Sequence, residues 1–442
     1  MAAQARQAAP PQLDPQRLQR AARSSPLVAP ALVFALCLAF YLAGIGLPAN
    51  GLSELRTDEA HVLMTTNSLV QDGDFDLQAD YARRDWLLFD GPTLSPAADV
   101  IGGRLLEPQG LGFPALLAPA FALAGVRGVE VLLALIAALG MAAAVPVARR
   151  LAPDPWGPGA VLAVGLSPPA VLAATTIAPA ATCGALIAGA AALTLRCRES
   201  STRPAPLGAG LLLALVPWIG PIGLLPAAVV AVALFRWLRR RRRGWAGLVA
   251  LELILVSLVF YVTVNGRLFG GITPLAASND PGGPFGAQSA GDLAERLPRL
   301  VGVWVAPEVG LLLFAPVLAL AFVSAWLFWR SRRERLARAL PEAVDIEVAA
   351  GFLVLVCAAG LVTAVFLVPW FSDHAPGEAL VAVLPLAGAL CTWGLRRFPA
   401  AGTALAALGV ALSLWLLVAG HLAASAGVSP PAGPLPWSLL GA

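Results

Sequence analysis

Residues 27–47 read LVAPALVFALCLAFYLAGIGL, and the chain then turns polar at Thr57-Asp58-Glu59-Ala60-His61. The apolar run matches the ~20 residues that the hydrocarbon of a bilayer demands. It is too long for a signal-peptide core and follows Arg6, Arg17, Arg20 and Arg23, so it reads as an uncleaved first span. Runs of the same kind recur, and the expected spans are 27–47, 128–148, 157–175, 179–196, 204–217, 219–236, 245–264, 308–329, 347–369, 378–395 and 400–421. A shorter apolar piece at 110–126 carries Pro114 and Pro119, which are expected to break it, and Gly110 and Gly112 weaken its start. Read as a re-entrant or juxtamembrane helix, it leaves about 11 spans, and every Arg cluster (149–150, 196/198, 239–243, 330–338, 396–397) falls on one side, inside by the positive-inside rule.

Composition agrees. The 442 residues are 58% hydrophobic and 13% charged, with a mean hydropathy of +0.77, which excludes a water-soluble enzyme. The expected fold is all-α and polytopic: a cytoplasmic tail at 1–26, a membrane domain at 27–421 with outer loops 48–127 and 265–307, and an outer tail at 422–442. All 30 basic residues are Arg, so any anion must meet guanidinium or backbone N–H groups. The net charge of +4 sits in short clusters between apolar runs, the pattern of topology signals and no mark of nucleic-acid binding. Cys37, Cys183, Cys197, Cys357 and Cys391 are scattered through apolar segments, which indicates neither disulfides nor a thiolate metal site.

The chemistry gathers in the first loop. Thr57 is expected to cap a helix whose first turn holds Asp58 and Glu59, favoured there by the helix dipole. Leu63, Leu69 and Val70 among Thr65, Thr66, Asn67 and Ser68 suggest an amphipathic helix lying on the membrane surface. The alternation Asp72, Asp74, Asp76 resembles a calcium loop but reaches Arg83 where the bidentate Glu belongs, so a solvated turn is the better reading. With only three histidines, His61 among them, no metal site is expected.

These residues carry a resemblance to the GT-C superfamily of membrane glycosyltransferases, near its dolichyl-phosphate-mannose-dependent and aminoarabinose-transferring groups. It rests chiefly on Thr57-Asp58-Glu59-Ala60-His61 with Ser68-Leu69 and Asp72-Gly73-Asp74-Phe75-Asp76-Leu77 behind it. Weaker matches lie at Gly110 to Pro119, Leu215-Val216-Pro217-Trp218, Asn265 with Phe269-Gly270-Gly271, and Gly310-Leu311-Leu312 with Ala315-Pro316. There are departures: Ala180 follows Pro179 where many relatives have Glu, and Glu378 and Ala379 stand where a basic residue is common after Gly377.

The resemblance implies inverting transfer of a sugar from a polyprenyl-phosphate donor to an acceptor hydroxyl on an envelope glycan, lipid or protein at the outer face. Such a reaction needs a base for the acceptor proton and guanidinium groups for the phosphate leaving group. Asp58 is expected to be the base and Glu59 its helper. Arg83, Arg84, Arg104 and Arg267 are the phosphate candidates, with His61, Tyr81, Trp218 and Trp370 for the sugar and acceptor, and no cofactor is required, a divalent metal being optional. The rival readings are a lipid-sugar flippase, which predicts midplane charges and an internal repeat that the sequence lacks, and a non-catalytic envelope-assembly protein.

Overall fold

The computed structural model describes residues 27–47, 55–89, 93–199, 204–240, 244–279, 290–307, 310–337, 341–367 and 377–426; both expected tails and Trp370 lie outside them, save the final turn of the last helix. Among the described residues the structure is helical, with only two isolated β-bridges, Ala98 with Ser278 and Ile101 with Arg104. The helices are α1 (Val28–Ala43), α2 (Thr57–Gln71), α3 (Gln78–Arg83), α4 (Gly112–Ala148), α5 (Trp156–Gly165), α6 (Pro168–Ala173), α7 (Pro179–Glu199), α8 (Pro204–Ile219), α9 (Leu224–Arg240), α10 (Gly244–Leu268), α11 (Ala290–Glu295), α12 (Arg299–Val305), α13 (Leu311–Phe314), α14 (Ala319–Ala337), α15 (Pro341–Val362), α16 (Leu384–Leu390), α17 (Thr392–Arg397) and α18 (Pro399–Ala426). Seven helical stretches among the described residues are long and apolar enough to cross a membrane, and three shorter apolar helices, α1, α5 and α8, pack among them. This is a multi-pass membrane protein.

The centre of the bundle is α4, α7, α8 and α10 packed in series, with α1 and α2 laid against α4. Small residues let these backbones approach: a Cβ on Gly140 would lie 2.8 Å from the Cα of Ala185. In lipid, where apolar side chains gain nothing by leaving one apolar medium for another, such contact is what holds helices together.

α4 is two helices. The prolines expected to break the 110–126 piece do not: Pro114 sits in the first turn and Pro119 stays inside the helix. The break falls at Ala124 and Gly125, the glycine taking φ 58, ψ −146, a conformation nearly reserved for glycine. The turn is sharp enough to set Gly128 against the Ala120 carbonyl. Gly112 packs on the Trp218 backbone, and the Arg127 guanidinium lies against Gly46 just beyond α1. Gly220 packs on Pro179, next to the Ile177 amide that reaches α2, so residues 112–123 begin and end at the same end of the bundle as α2.

Three expected spans are not single helices; one of them, 378–395, runs as a 3-10 turn at Glu378–Val383, then α16 and α17. The stretch 157–175 divides into α5 and α6 at Leu166-Ser167, and 308–329 divides at Ala315, where φ is −130 and ψ 67, into α13, a 3-10 turn and α14. At the end of the bundle away from α2, Arg198 of α7 pairs with Asp345 of α15 at 2.6 Å, beside Arg150 and Arg196.

Candidate active site

The cap of α2 is Arg56, with Thr57 the first helical residue, which corrects the expected Thr57 cap. The reason is the carboxylate three residues on: Glu59 Oε2 accepts the Arg56 N–H at 3.1 Å. Its other oxygen accepts the Ile177 N–H at 2.8 Å, tying α2 to the segment after α6. Burial pushes the Glu59 carboxyl above its ordinary value, against the pull of Arg56 and these two N–H groups. Asp58, one residue earlier, points elsewhere: its side chain is 52% exposed and meets Arg56 Nη2 at 2.9 Å. Successive helical side chains diverge by ~100°, which assigns one carboxylate to the wall and the other to the opening.

Arg56 itself is buried and was not singled out from the sequence. Its Nη1 donates to Glu378 Oε2 at 2.6 Å and its Nη2 to Glu378 Oε1 at 3.1 Å, a bidentate fork. Nε has no hydrogen-bond partner and stays 3.8 Å from Glu59, so the guanidinium is drawn towards Glu378 and Asp58. Glu378, which looked in sequence like the loss of a basic residue, opens a 3-10 turn (Glu378–Val383) behind Gly377, whose φ is 72.

α2 does not lie on a surface. Every residue from Glu59 to Ser68 is buried, because the polar face finds partners inside the protein. Thr65 and Thr66 donate to the carbonyls of His61 and Val62. Tyr81 Oη donates to Glu107 Oε1 at 2.6 Å, and His61 Nδ1 lies 2.9 Å from the same phenol oxygen. Burial first, and then Glu107, push the Tyr81 phenol up, so it keeps its proton and Nδ1 is the nitrogen of His61 that donates. His61 and Tyr81 therefore share a buried network with Glu107, which the sequence reading passed over.

The basic candidates are dispersed. Arg83 is held by Asp72 at 2.7 Å, Asp85 at 3.0 Å and Asp80 at 3.1 Å, so three carboxylates surround its charge. Arg84 is an exposed left-handed helix cap, and Arg104 and Arg267 are exposed on separate elements. Trp218 is half-buried, donating to Ser257 Oγ at 3.0 Å and ringed by Phe260 and Tyr261. Gly110, Gly112, Pro217, Trp218, Asn265 and Pro274 meet around one small cleft, so three of the weaker sequence motifs form a single packing site. Two arginines absent from the sequence reading stand together instead: buried Arg296 donates to the Phe366 carbonyl at 2.6 Å, and burial followed by Arg296 holds Arg299 below its ordinary value. Among the described residues no group of three or more His, Cys, Asp or Glu side chains is placed to hold a metal ion.

Beside these groups runs an apolar groove with a cavity of about 210 Å³, its walls including Trp304, Leu311, Phe322, Leu361, Leu380 and Leu384. Leu380 and Leu384 follow Glu378 directly, and Leu311 abuts Gly377. The segment 363–367, which carries the Phe366 carbonyl, packs on both α12 and the Glu378 turn. The groove is thus flanked by α12, which begins at Arg299 and carries Trp304, and by the turn that begins at Glu378 and carries Leu380.

Comparison with solved structures finds the crystal structure of ArnT from Cupriavidus metallidurans bound to undecaprenyl phosphate, at a TM-score of 0.54 and 16% identity over 89% of this chain and 65% of that one. The apo state of the same protein aligns at a TM-score of 0.47 and 15% identity, over 89% of this chain and 64% of that one. The chain therefore spans about 65% of the length of the solved protein it resembles. What is shared is the fold, the one the GT-C resemblance implies. No family model and no curated protein matches the chain.

Proposed function

We propose that this protein transfers a sugar from a polyprenyl-phosphate donor to an acceptor hydroxyl at the outer face of the membrane, with inversion and with Asp58 as general base. The observation that carries this reading is the apolar groove lined in part by the turn whose first carboxylate, through Arg56, holds Asp58. A groove of that lining suits an isoprenoid chain, and the ArnT structure of similar fold holds undecaprenyl phosphate. The phosphate then sits at the mouth of the groove, on the side of α12 and the neighbouring Arg296 and Arg299. Guanidinium groups there meet the negative charge that develops on the leaving phosphate.

Asp58 takes the acceptor proton as the hydroxyl oxygen attacks the anomeric carbon and the bond to the phosphate oxygen breaks. Glu59 braces the helix, and the His61, Tyr81 and Glu107 network fixes the wall behind it. No nucleotide and no resident metal enters this scheme. The N-terminus lies inside and the acceptor is an envelope glycan, lipid or protein. The test is incubation of the purified protein in lipid with a panel of radiolabelled polyprenyl-phosphate sugars. Asp58→Asn keeps the shape but not the basicity, so it should lower kcat about 10²–10⁴-fold with donor binding kept. Near-normal turnover in that variant sinks the assignment.

A further inference from the structure

We propose that Arg56 is the positioning residue of the Asp58 carboxylate and that Glu378 sets Arg56 according to what fills the groove. This rests on the reading of Asp58 as base. Arg56 Nη2 is shared, 2.9 Å from Asp58 and 3.1 Å from Glu378, while Nη1 closes the fork on Glu378. A rigid planar guanidinium cannot follow one carboxylate without moving relative to the other. Nε has no hydrogen bond to hold the group back. Glu378 is in turn the first residue of a short turn whose Leu380 and Val383 line the groove, and Leu311, also in the lining, presses on Gly377 just before it. A chain seated against Leu380 and Leu311 therefore loads the turn that carries Glu378, and two charge-assisted links pass that load to Asp58. A donor whose lipid is properly seated meets a correctly aimed base, so binding energy from a remote part of the substrate appears in kcat.

The test compares wild type, Arg56→Lys, Glu378→Gln and the swap Arg56→Glu with Glu378→Arg, each assayed with the donor sugar that gives turnover on a C55 and on a C10 isoprenoid phosphate. Wild type should lose kcat, beyond any rise in KM, when the chain is shortened. Arg56→Lys keeps the charge but not the fork, and should fold with kcat down about 100-fold, the scale of a 1 Å misplacement. In Glu378→Gln kcat should be low with both donors and insensitive to chain length. The swap restores the ion pair between the two segments, so its melting temperature should return towards wild type while kcat stays low, since residue 56 now offers Asp58 a like charge. Recovery of kcat in the swap would reduce Arg56 and Glu378 to a structural clasp, and full chain-length dependence in Glu378→Gln would refute the link to the groove. Asp58→Asn run alongside separates these outcomes, because turnover there removes the base itself.

Discussion

A carboxylate that caps its own helix and also accepts the Ile177 N–H is committed on both oxygens, so Glu59 is a brace, while Asp58 stays exposed, as the base proposed for it must. The brace has a pH signature. Because burial holds Glu59 above the ordinary 4.5, the native protein keeps a proton that the unfolded chain has released. Unfolding free energy then falls with pH, the contribution being whole below the ordinary value and lost as pH rises through the raised one. Glu59→Gln cannot ionise, so its melting temperature should gain on wild type as pH climbs from about 4.5 towards neutrality. Parallel melting curves across that range would mean that the carboxyl titrates as it does in the unfolded chain. That Asp58 and Glu59 face different ways is legible in sequence, since neighbours on a helix must diverge. Arg56 is not, because its partner Glu378 lies 322 residues away and nothing local marks it. Glu107 is hidden for the same reason, its phenol and imidazole partners arriving from α3 and α2.

At the level of elements, the break at Ala124 and Gly125 lets two apolar helices share one end of the bundle. Gly125→Ala forces a side chain into a conformation that costs about 1–3 kcal/mol. With open space around that position, strain is the whole of the expected effect. Thermal denaturation in detergent should show a lowered melting temperature, and an unchanged one would place the break elsewhere. The long helices are legible because length and hydropathy alone decide them. The interruptions at Leu166-Ser167 and Ala315 are not, since hydropathy runs on through both. The usable signal was Pro168 and Pro316, each starting the next helical piece, where a missing N–H and a fixed φ are harmless.

Over the whole molecule, the groove joins segments from 304 to 390 into one wall, with the first-loop helix clasped to its rim. Ala358→Phe should occupy part of it: losing room for two or three isoprenoid carbons, at about 0.8 kcal/mol each, raises KM for the donor on the order of tenfold or more. An unaltered KM, measured against full-length donor, would show that the lipid lies outside this groove. The clasp between Arg56 and Glu378 also bears on how the protein is made. At about 5–20 residues per second, a ribosome needs on the order of 20–60 s to travel from one to the other. For that interval the guanidinium has no Glu378 to meet, and the helix behind it has no finished pocket to enter. A nascent chain stalled anywhere short of the Glu378 turn therefore leaves Arg56 with only the nearby carboxylates of its own helix, Asp58 and Glu59, so the first-loop helix is fastened last, once the chain is nearly whole.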